Sequence, residues 1–243
     1  MDKLAVREAV WRALDQVAVP DSRFHRDYTM FIPDFAGSDQ AVAQLTAHPY
    51  YRQAATLFIT PDNCLEKLRW QTLRDGKKLI VTTEAGLRGL FLLDPAQIKP
   101  EDYRYAACLD GQERMGRPIS LREIQATLNQ LDLLVTGASV VNAQGIRFGK
   151  GHGYFDVEWA VFYAAGLVKQ TTPVFAVVHD CQVAEIELEP DEYDTVMDAI
   201  FTPTRTLEIA SAQKPTTGVI WEKLKPGRSQ ENLVLRELRQ WPR

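Results

Sequence analysis

Between Gly145 and Asp156 the sequence reads Gly-Ile-Arg-Phe-Gly-Lys-Gly-His-Gly-Tyr-Phe-Asp, which sets alternate glycines beside two cations, a histidine and a carboxylate. Gly149, Gly151 and Gly153 carry no Cβ, so the backbone can take positive φ and bring its N–H groups close to an anion. Arg147 and Lys150 add positive charge. Asp156 is a hard oxygen donor of the kind that holds a divalent cation between phosphate oxygens. The pattern predicts a phosphate cradle. A plain strand-to-helix turn would also use glycine, but it does not account for the charges on either side.

The elements that must position this run alternate along the chain. Val6, Val10, Leu14 and Val17 fall at helical spacing and predict a helix over residues 3 to 18, with Lys3 and Arg7 four apart on one face. On residues alone that basic pair is a solvated face. Pro20 ends the helix, residues 21 to 35 read as a loop, and a short helix follows over 38 to 47. Residues 55 to 60 read as a strand, Pro61-Asp62-Asn63 opens a helix to about Arg74, Asp75-Gly76 turns, and 78 to 83 read as a second strand. This βαβ unit predicts parallel pairing and a right-handed crossover. Asp94-Pro95 and Pro100 mark a loop.

A helix is expected over 121 to 131 and a short strand over 133 to 136, which places the glycine run beyond the carboxyl end of a strand, where open α/β sheets bind ligands. A helix over 157 to 167 would then face the same anion with its N-terminal dipole. Residues 173 to 178 are a buried strand ending in His179-Asp180-Cys181-Gln182. Neighbours on a strand point to opposite faces, so these residues read as strand-end hydrogen-bonding groups rather than a nucleophilic cluster. Residues 190 to 199 carry Asp191, Glu192, Asp194 and Asp198; if helical, Asp194 and Asp198 lie one turn apart. A Pro226-Gly227 break precedes a last helix with Leu233, Leu235 and Leu238. Alternating strands and helices predict a three-layer α/β/α domain.

With 243 residues, 45% of them apolar, the chain has ample core material, and residues 1 to 243 are read as a single domain. The net charge of −4, with no massed basic runs, gives no electrostatic case for a nucleic-acid partner. Cys64, Cys108 and Cys181 are odd in number and form no Cys-x-x-Cys pair, so neither a disulfide framework nor a zinc site is expected, and a reducing cytoplasm fits. The N-terminus has no signal-peptide core, and no apolar run approaches the ~20 residues of a membrane span.

The run Gly-x-Arg-x-Gly-x-Gly-x-Gly-Tyr-x-Asp resembles the glycine-loop motif of the 5-formyltetrahydrofolate cyclo-ligase family. Lys3-x-x-x-Arg7 is similar to that family's N-terminal basic pair, and Asp194-x-x-x-Asp198-Ala-Ile-Phe-Thr202 to its C-terminal acidic segment. Residues 20 to 130 carry little of the match. The resemblance implies an open, mostly parallel sheet related to the sugar-phosphate isomerase and CoA-transferase folds. It also implies an ATP- and Mg²⁺-dependent reaction: the formyl oxygen of 5-formyltetrahydrofolate is phosphorylated, N10 attacks the activated carbon, and phosphate leaves to give 5,10-methenyltetrahydrofolate. By the same resemblance, Lys3, Arg7, the loop from Gly149 through Lys150, Gly151, His152 and Gly153, and Lys150 itself contact ATP. Tyr154 and Phe155 line the folate side, Arg147, Lys150 and Tyr154 stand beside the reacting groups, and Asp156 and Asp194 hold Mg²⁺. The implied partners are small molecules, a folate and ATP. This chain departs from the family pattern at Phe155, which replaces a second Tyr, at Val157, which replaces a basic residue, and at His152. Residues 32 to 39 also lack the family's Glu-x-x-Thr. Those departures keep open an alternative, a nucleotide-binding paralogue with another substrate or a regulatory role.

Overall fold

The apolar runs that read as strands are buried on both faces, and that burial decides the architecture. The computed structural model describes residues 2–82, 88–185, 187–210 and 212–241. In chain order the helices are α1 (Lys3–Leu14), α2 (Ser38–Ala47), α3 (Pro49–Gln53), α4 (Glu66–Arg74), α5 (Tyr103–Ala107), α6 (Leu109–Met115), α7 (Leu121–Thr127), α8 (Tyr154–Ala164), α9 (Arg228–Glu231) and α10 (Leu233–Arg239). The strands are β1 (Thr56–Ile59), β2 (Lys78–Thr82), β3 (Leu90–Leu93), β4 (Arg117–Ile119), β5 (Leu133–Thr136), β6 (Val140–Asn142), β7 (Arg147–Phe148), β8 (Val174–Val177), β9 (Val183–Ala184), β10 (Ala199–Phe201) and β11 (Thr206–Glu208).

Eight strands form one sheet in the order β11-β10-β8-β5-β1-β2-β3-β4. Its centre, from β10 to β2, is parallel, while β3, β4 and β11 pair antiparallel at the two edges. Successive side chains of a strand point to opposite faces, so one strand feeds two cores. Leu57 and Ile59 of β1 join Leu45, Leu68 and Leu73 of α2 and α4 on one side. Phe58 joins Ile124, Trp159 and Leu235 of α7, α8 and α10 on the other. That is the expected three-layer arrangement with helices on both faces of a mostly parallel sheet. Among the described residues no helix is long and apolar enough to cross a membrane.

The βαβ unit forms as the sequence predicts, with β1 and β2 parallel; Thr83, the expected end of the second strand, lies outside the described residues. Four boundaries differ. The first helix stops at Leu14 rather than near 18, because Ala18 leaves it to bridge Phe35. The helix expected to 131 stops at Thr127, ahead of Asn129 at φ 68°. The helix expected from Val157 begins at Tyr154, immediately after Gly153 at φ 64°. Residues 190 to 198 form no helix. A second, three-stranded sheet, β7-β6-β9, stands beside the main one and carries the glycine run out of its β6–β7 hairpin.

Candidate functional site

Strand order reverses direction at β1: β2 lies on one side of it, and β5, β8 and β10 continue on the other. At such a point the loops leaving the carboxyl ends of the strands diverge and open a crevice. Here it is a cleft of about 850 Å³ lined by Thr60, Asp62 and Asn63 after β1, Thr82 at the end of β2, and Thr136 of β5. The glycine loop forms another wall. Asp62 spans the crevice mouth, where its Oδ2 accepts from the Thr60 hydroxyl at 2.6 Å and from the Gly137 amide after β5 at 3.0 Å.

The loop takes its shape from Gly151 and Gly153, at φ 100° and 64°, a region that costs an L-residue about 1–2 kcal/mol. Gly149, grouped with them on sequence, has no positive φ; its missing Cβ instead gives clearance to Arg147 Nη1, which would lie 3.0 Å from it. No side chain caps the start of α8, so its first amides face the cleft end of an eleven-residue helix. Arg7 ties the loop down by donating from Nε to the Gly149 carbonyl at 2.6 Å. His152 Nε2 lies 3.2 Å from the Thr29 carbonyl, and its ring stacks on Tyr154 with centroids 5.2 Å apart, which joins the loop to the segment over residues 21 to 35.

Arg147 and Asp156 form the densest electrostatic feature. Their side chains are 4% and 11% exposed and meet at 3.0 Å. Arg147 Nη2 donates to both Asp156 oxygens, and Asp156 Oδ1 also accepts from the Thr195 amide at 3.0 Å. Asp156 therefore sits in the first turn of α8 and caps nothing. Two buried polar atoms here, Arg147 Nε and Thr195 Oγ1, have no hydrogen-bond partner among the described residues. The Arg147 guanidinium also lies 5.0 Å over the Phe155 ring. Phe155, expected on the folate side, borders the cleft but is only 3% exposed, and most of its ring packs in the core with Trp159 and Phe162. It turns inward because the helix starts three residues earlier than expected, which puts Phe155 on its sheet-facing side.

Lys3 reaches the same cleft. Its ammonium donates to Asp191 at 2.7 Å and Asp194 at 3.3 Å and lies 4.6 Å over the Phe148 ring. Burial works against that charge, but the Asp191 hydrogen bond and the Asp194 charge lift its pKa above the ordinary value. The Asp194 carboxyl is also raised, first by burial and then by the neighbouring charge of Asp156, against the pull of Lys3. Burial, followed by the charge of Arg147, lowers Arg7. Lys150 has no carboxylate within ion-pair distance among the described residues, and its ammonium lies 5.9 Å from the Tyr154 ring.

Lys3, Arg7, Arg147, Tyr154, Phe155, Asp156, Asp194 and the whole run from Gly149 through Lys150, Gly151 and His152 to Gly153 thus line one cleft. Asp198 does not join them: with no helix over 190 to 198 it is carried away and binds Lys214 at 2.7 Å and the Val174 amide. His179, Asp180 and Cys181 form the strand-end hydrogen-bonding turn that the sequence predicts, in which the Cys181 amide donates to His179 Nδ1 at 3.2 Å. Burial raises the Cys181 thiol, which makes it a poor nucleophile. Sequence reasoning missed the wall opposite the glycine loop: the Thr60–Asn63 corner, Leu109 and Glu113, and Glu158, whose Oε1 accepts from the Thr82 hydroxyl at 2.6 Å. The one available signal was that Pro61 and Asp62 directly follow a strand of a parallel unit.

Comparison with known proteins supports the same framework. The sequence model of the 5-formyltetrahydrofolate cyclo-ligase family matches residues 2–203. The chain is 32% identical over 243 residues to the methenyltetrahydrofolate synthase domain-containing protein of Mus musculus, with 99% of this chain and 64% of that protein covered. It is 31% identical over 242 residues to the Homo sapiens protein of the same name, covering 98% and 62%. The chain therefore spans a little under two thirds of the length of these curated relatives. Among solved structures, the 5,10-methenyltetrahydrofolate synthetase of Aquifex aeolicus matches with a TM-score of 0.54 over 88% of this chain and 96% of its own, at 17% identity. That likeness is one of fold.

Proposed function

Because the chain belongs to the 5-formyltetrahydrofolate cyclo-ligase family, we propose that its cleft converts 5-formyltetrahydrofolate to 5,10-methenyltetrahydrofolate, with ATP consumed and ADP and phosphate released. The observation that carries the reading is the convergence of Lys3, Arg7, Lys150 and the uncapped start of α8 on one cleft, although Arg7 and the glycine loop it binds are 142 positions apart. Phosphoryl transfer needs positioning and charge neutralisation more than a protein nucleophile. Arg7 and Lys150 bring charge that no carboxylate within ion-pair distance offsets among the described residues. Arg147 is engaged by Asp156 and acts by holding that carboxylate in place. Tyr154, half-buried beside Lys150, borders the space where the reacting groups would meet.

Mg²⁺ fits this donor set in part. Asp156 and Asp194 are close enough for the charge of one to raise the pKa of the other, a repulsion that a divalent cation would relieve. Arg147 Nε and Thr195 Oγ1, without a hydrogen-bond partner among the described residues, suit a further oxygen from water or phosphate. Among the described residues no group of three or more His, Cys, Asp or Glu side chains forms a protein-only cage, and Mg²⁺ characteristically keeps water and phosphate oxygens as ligands. When bound there it would neutralise charge on the phosphate. On this reading the working unit is a single domain spanning 1 to 243, with a folate and ATP as its small-molecule partners. It works in a reducing compartment such as the cytoplasm, where its three cysteines stay free.

The burial of Phe155 favours a second reading, a nucleotide-binding paralogue without cyclo-ligase activity, since a ring at the cleft wall that is only 3% exposed offers a folate little surface. Methenyltetrahydrofolate is a chromophore that neither substrate shares, so an absorbance assay with 5-formyltetrahydrofolate and MgATP decides between the two. Product formation is expected; ATP binding with no product would transfer the conclusion to the paralogue.

A further inference from the structure

Arg69 projects from α4 into the protein interior and is fully buried. Taking a guanidinium out of water costs several kcal/mol, and replacing buried charge by packed apolar side chains is often neutral or stabilising. A buried arginine without a counterion therefore needs an explanation other than stability. Among the described residues no carboxylate lies within ion-pair distance of Arg69, and burial pushes its pKa down to about 10. Its partners are backbone carbonyls: Nη1 donates to Thr60 at 2.7 Å and to Asp62 at 3.0 Å, and Nε donates to Ala107 at 2.8 Å. Only the planar fork of an arginine serves acceptors in such divergent directions.

Those carbonyls belong to two different walls of the cleft. Thr60 and Asp62 form the corner after β1, and the Asp62 side chain holds Gly137 across the crevice. Ala107 closes α5, and the chain turns at Cys108 directly into α6, whose Leu109, Asp110 and Glu113 line the cleft. That turn is tight, since a Cβ on Gly111 would lie 1.6 Å from the Tyr105 carbonyl, so a shift at Ala107 carries α6 with it. Nη2 of Arg69 and Oε1 of Gln112 are both buried and have no hydrogen-bond partner among the described residues, while Gln112 Nε2 approaches the same Ala107 carbonyl at 3.5 Å. Among the described residues Arg69 hydrogen-bonds neither the glycine loop nor Lys3 and Arg7.

We propose that Arg69 is a positioning residue for the organic substrate: by bonding the Thr60 and Asp62 carbonyls to that of Ala107, it fixes the distance between the two cleft walls that face away from the phosphate end. The proposal rests on the reading of the cleft as a folate and nucleotide site. Arg69→Met keeps length and removes the donors. In calorimetry on the full chain, it is expected to weaken 5-formyltetrahydrofolate binding roughly tenfold or more while MgATP affinity stays within about twofold. Amide exchange gives a readout that needs no ligand: Gly137 and Leu65, whose amides Asp62 accepts, should exchange roughly tenfold faster, and the Thr195 amide on Asp156 should not change.

Equal loss of both ligands, or unchanged folate affinity, would overturn the positioning role. If the wild type binds no folate, the reading of the cleft as a folate site fails instead; the exchange rates then decide the clamp, and unchanged Gly137 and Leu65 would sink it. Should Arg69→Met not fold, Arg69→Lys takes its place with the same readouts, because an ammonium keeps the charge but cannot reach Thr60 and Ala107 together.

Discussion

Asp156→Asn separates the structural from the catalytic duty of the central carboxylate. On sequence, Asn would pass as a near-neutral helix cap; the structure gives the opposite expectation, because Asp156 is bonded to Arg147 with both side chains almost fully enclosed. Asn can still accept the Thr195 amide through one oxygen, but its NH₂ then meets a guanidinium N–H, and the buried Arg147 loses its counter-charge. Breaking one side of a buried pair costs about 3–5 kcal/mol. For a chain of this length that is about 2–4 °C per kcal/mol, so the nucleotide-free melting temperature should fall by about 6–20 °C. Circular dichroism melts give this number directly. Repeating them with ATP alone and with MgATP isolates the metal, since the extra stabilisation from Mg²⁺ should be present in the wild type and absent in the variant. A double change, Arg147→Met with Asp156→Leu, should recover part of the loss by removing both charges together. An Asp156→Asn melt within about 2 °C of wild type would refute the buried-pair argument, and an undiminished Mg²⁺ increment would refute the metal assignment.

Two further outcomes follow from the same geometry. Arg7→Ala and Lys150→Ala should each weaken MgATP binding by about tenfold or more, the worth of a charge-assisted contact. The double variant should lose more than either alone, and unchanged calorimetric affinity would remove both residues from the site. Asp21, held by Arg23 at 2.5 Å and by Asn63 at 2.6 Å, has its pKa lowered from 3.8 to about 2, chiefly by the Arg23 hydrogen bond. A depressed acid stabilises the fold above its unfolded value and loses that contribution as pH falls through the folded one. Because Arg23 is 37% exposed, solvent screening cuts that contribution to about 1 kcal/mol, which should disappear between pH 3.8 and about 2. Urea titrations should show that stability limb flattened in Asp21→Asn; an unchanged limb would mean the bonds do not hold in solution.

How far the sequence could be read depended on whether a residue's role is local. The glycine run was legible because its backbone demand, positive φ at Gly151 and Gly153, is met by a residue type that announces itself. Strands β1, β5 and β8 were legible because a strand buried on both faces is apolar throughout. The strands at the sheet edges were not. β3 is cut short by Asp94-Pro95, and the three-residue β4 contains Pro118, which only an edge strand tolerates. Asp194 and Asp198 misled for the reverse reason. Their spacing of four fits a helix, but the segment's partner is Lys3, 191 positions from Asp194, and no local pattern encodes such a pairing. Arg69 was hidden in the same way, as one more charge in a helix that also carries Glu66, Lys67 and Arg74.

Two buried guanidinium groups, Arg147 in the cleft lining and Arg69 behind its walls, are therefore used in different ways, and the difference matches what each side has to do. Arg147 has a carboxylate partner, so the pair adds little net charge and leaves the field at the phosphate end to Arg7 and Lys150. Held by Arg147, the Asp156 carboxylate is kept from pairing with those cations in place of the phosphates. Arg69 has carbonyl partners only, and its positive charge is spread over the backbone of two walls rather than opposed by an anion that could swing toward a ligand. Preorganised groups of this kind stabilise a reaction without reorganising during it. They also have to be bought with burial that the rest of the fold sustains, here the double-sided packing around β1 and β5. The side of the molecule with the weakest local signal in its sequence is then the side whose geometry depends most on long-range contacts. Substitutions that preserve local pattern, such as Arg69→Lys, should be the ones that change how the cleft fits its organic substrate.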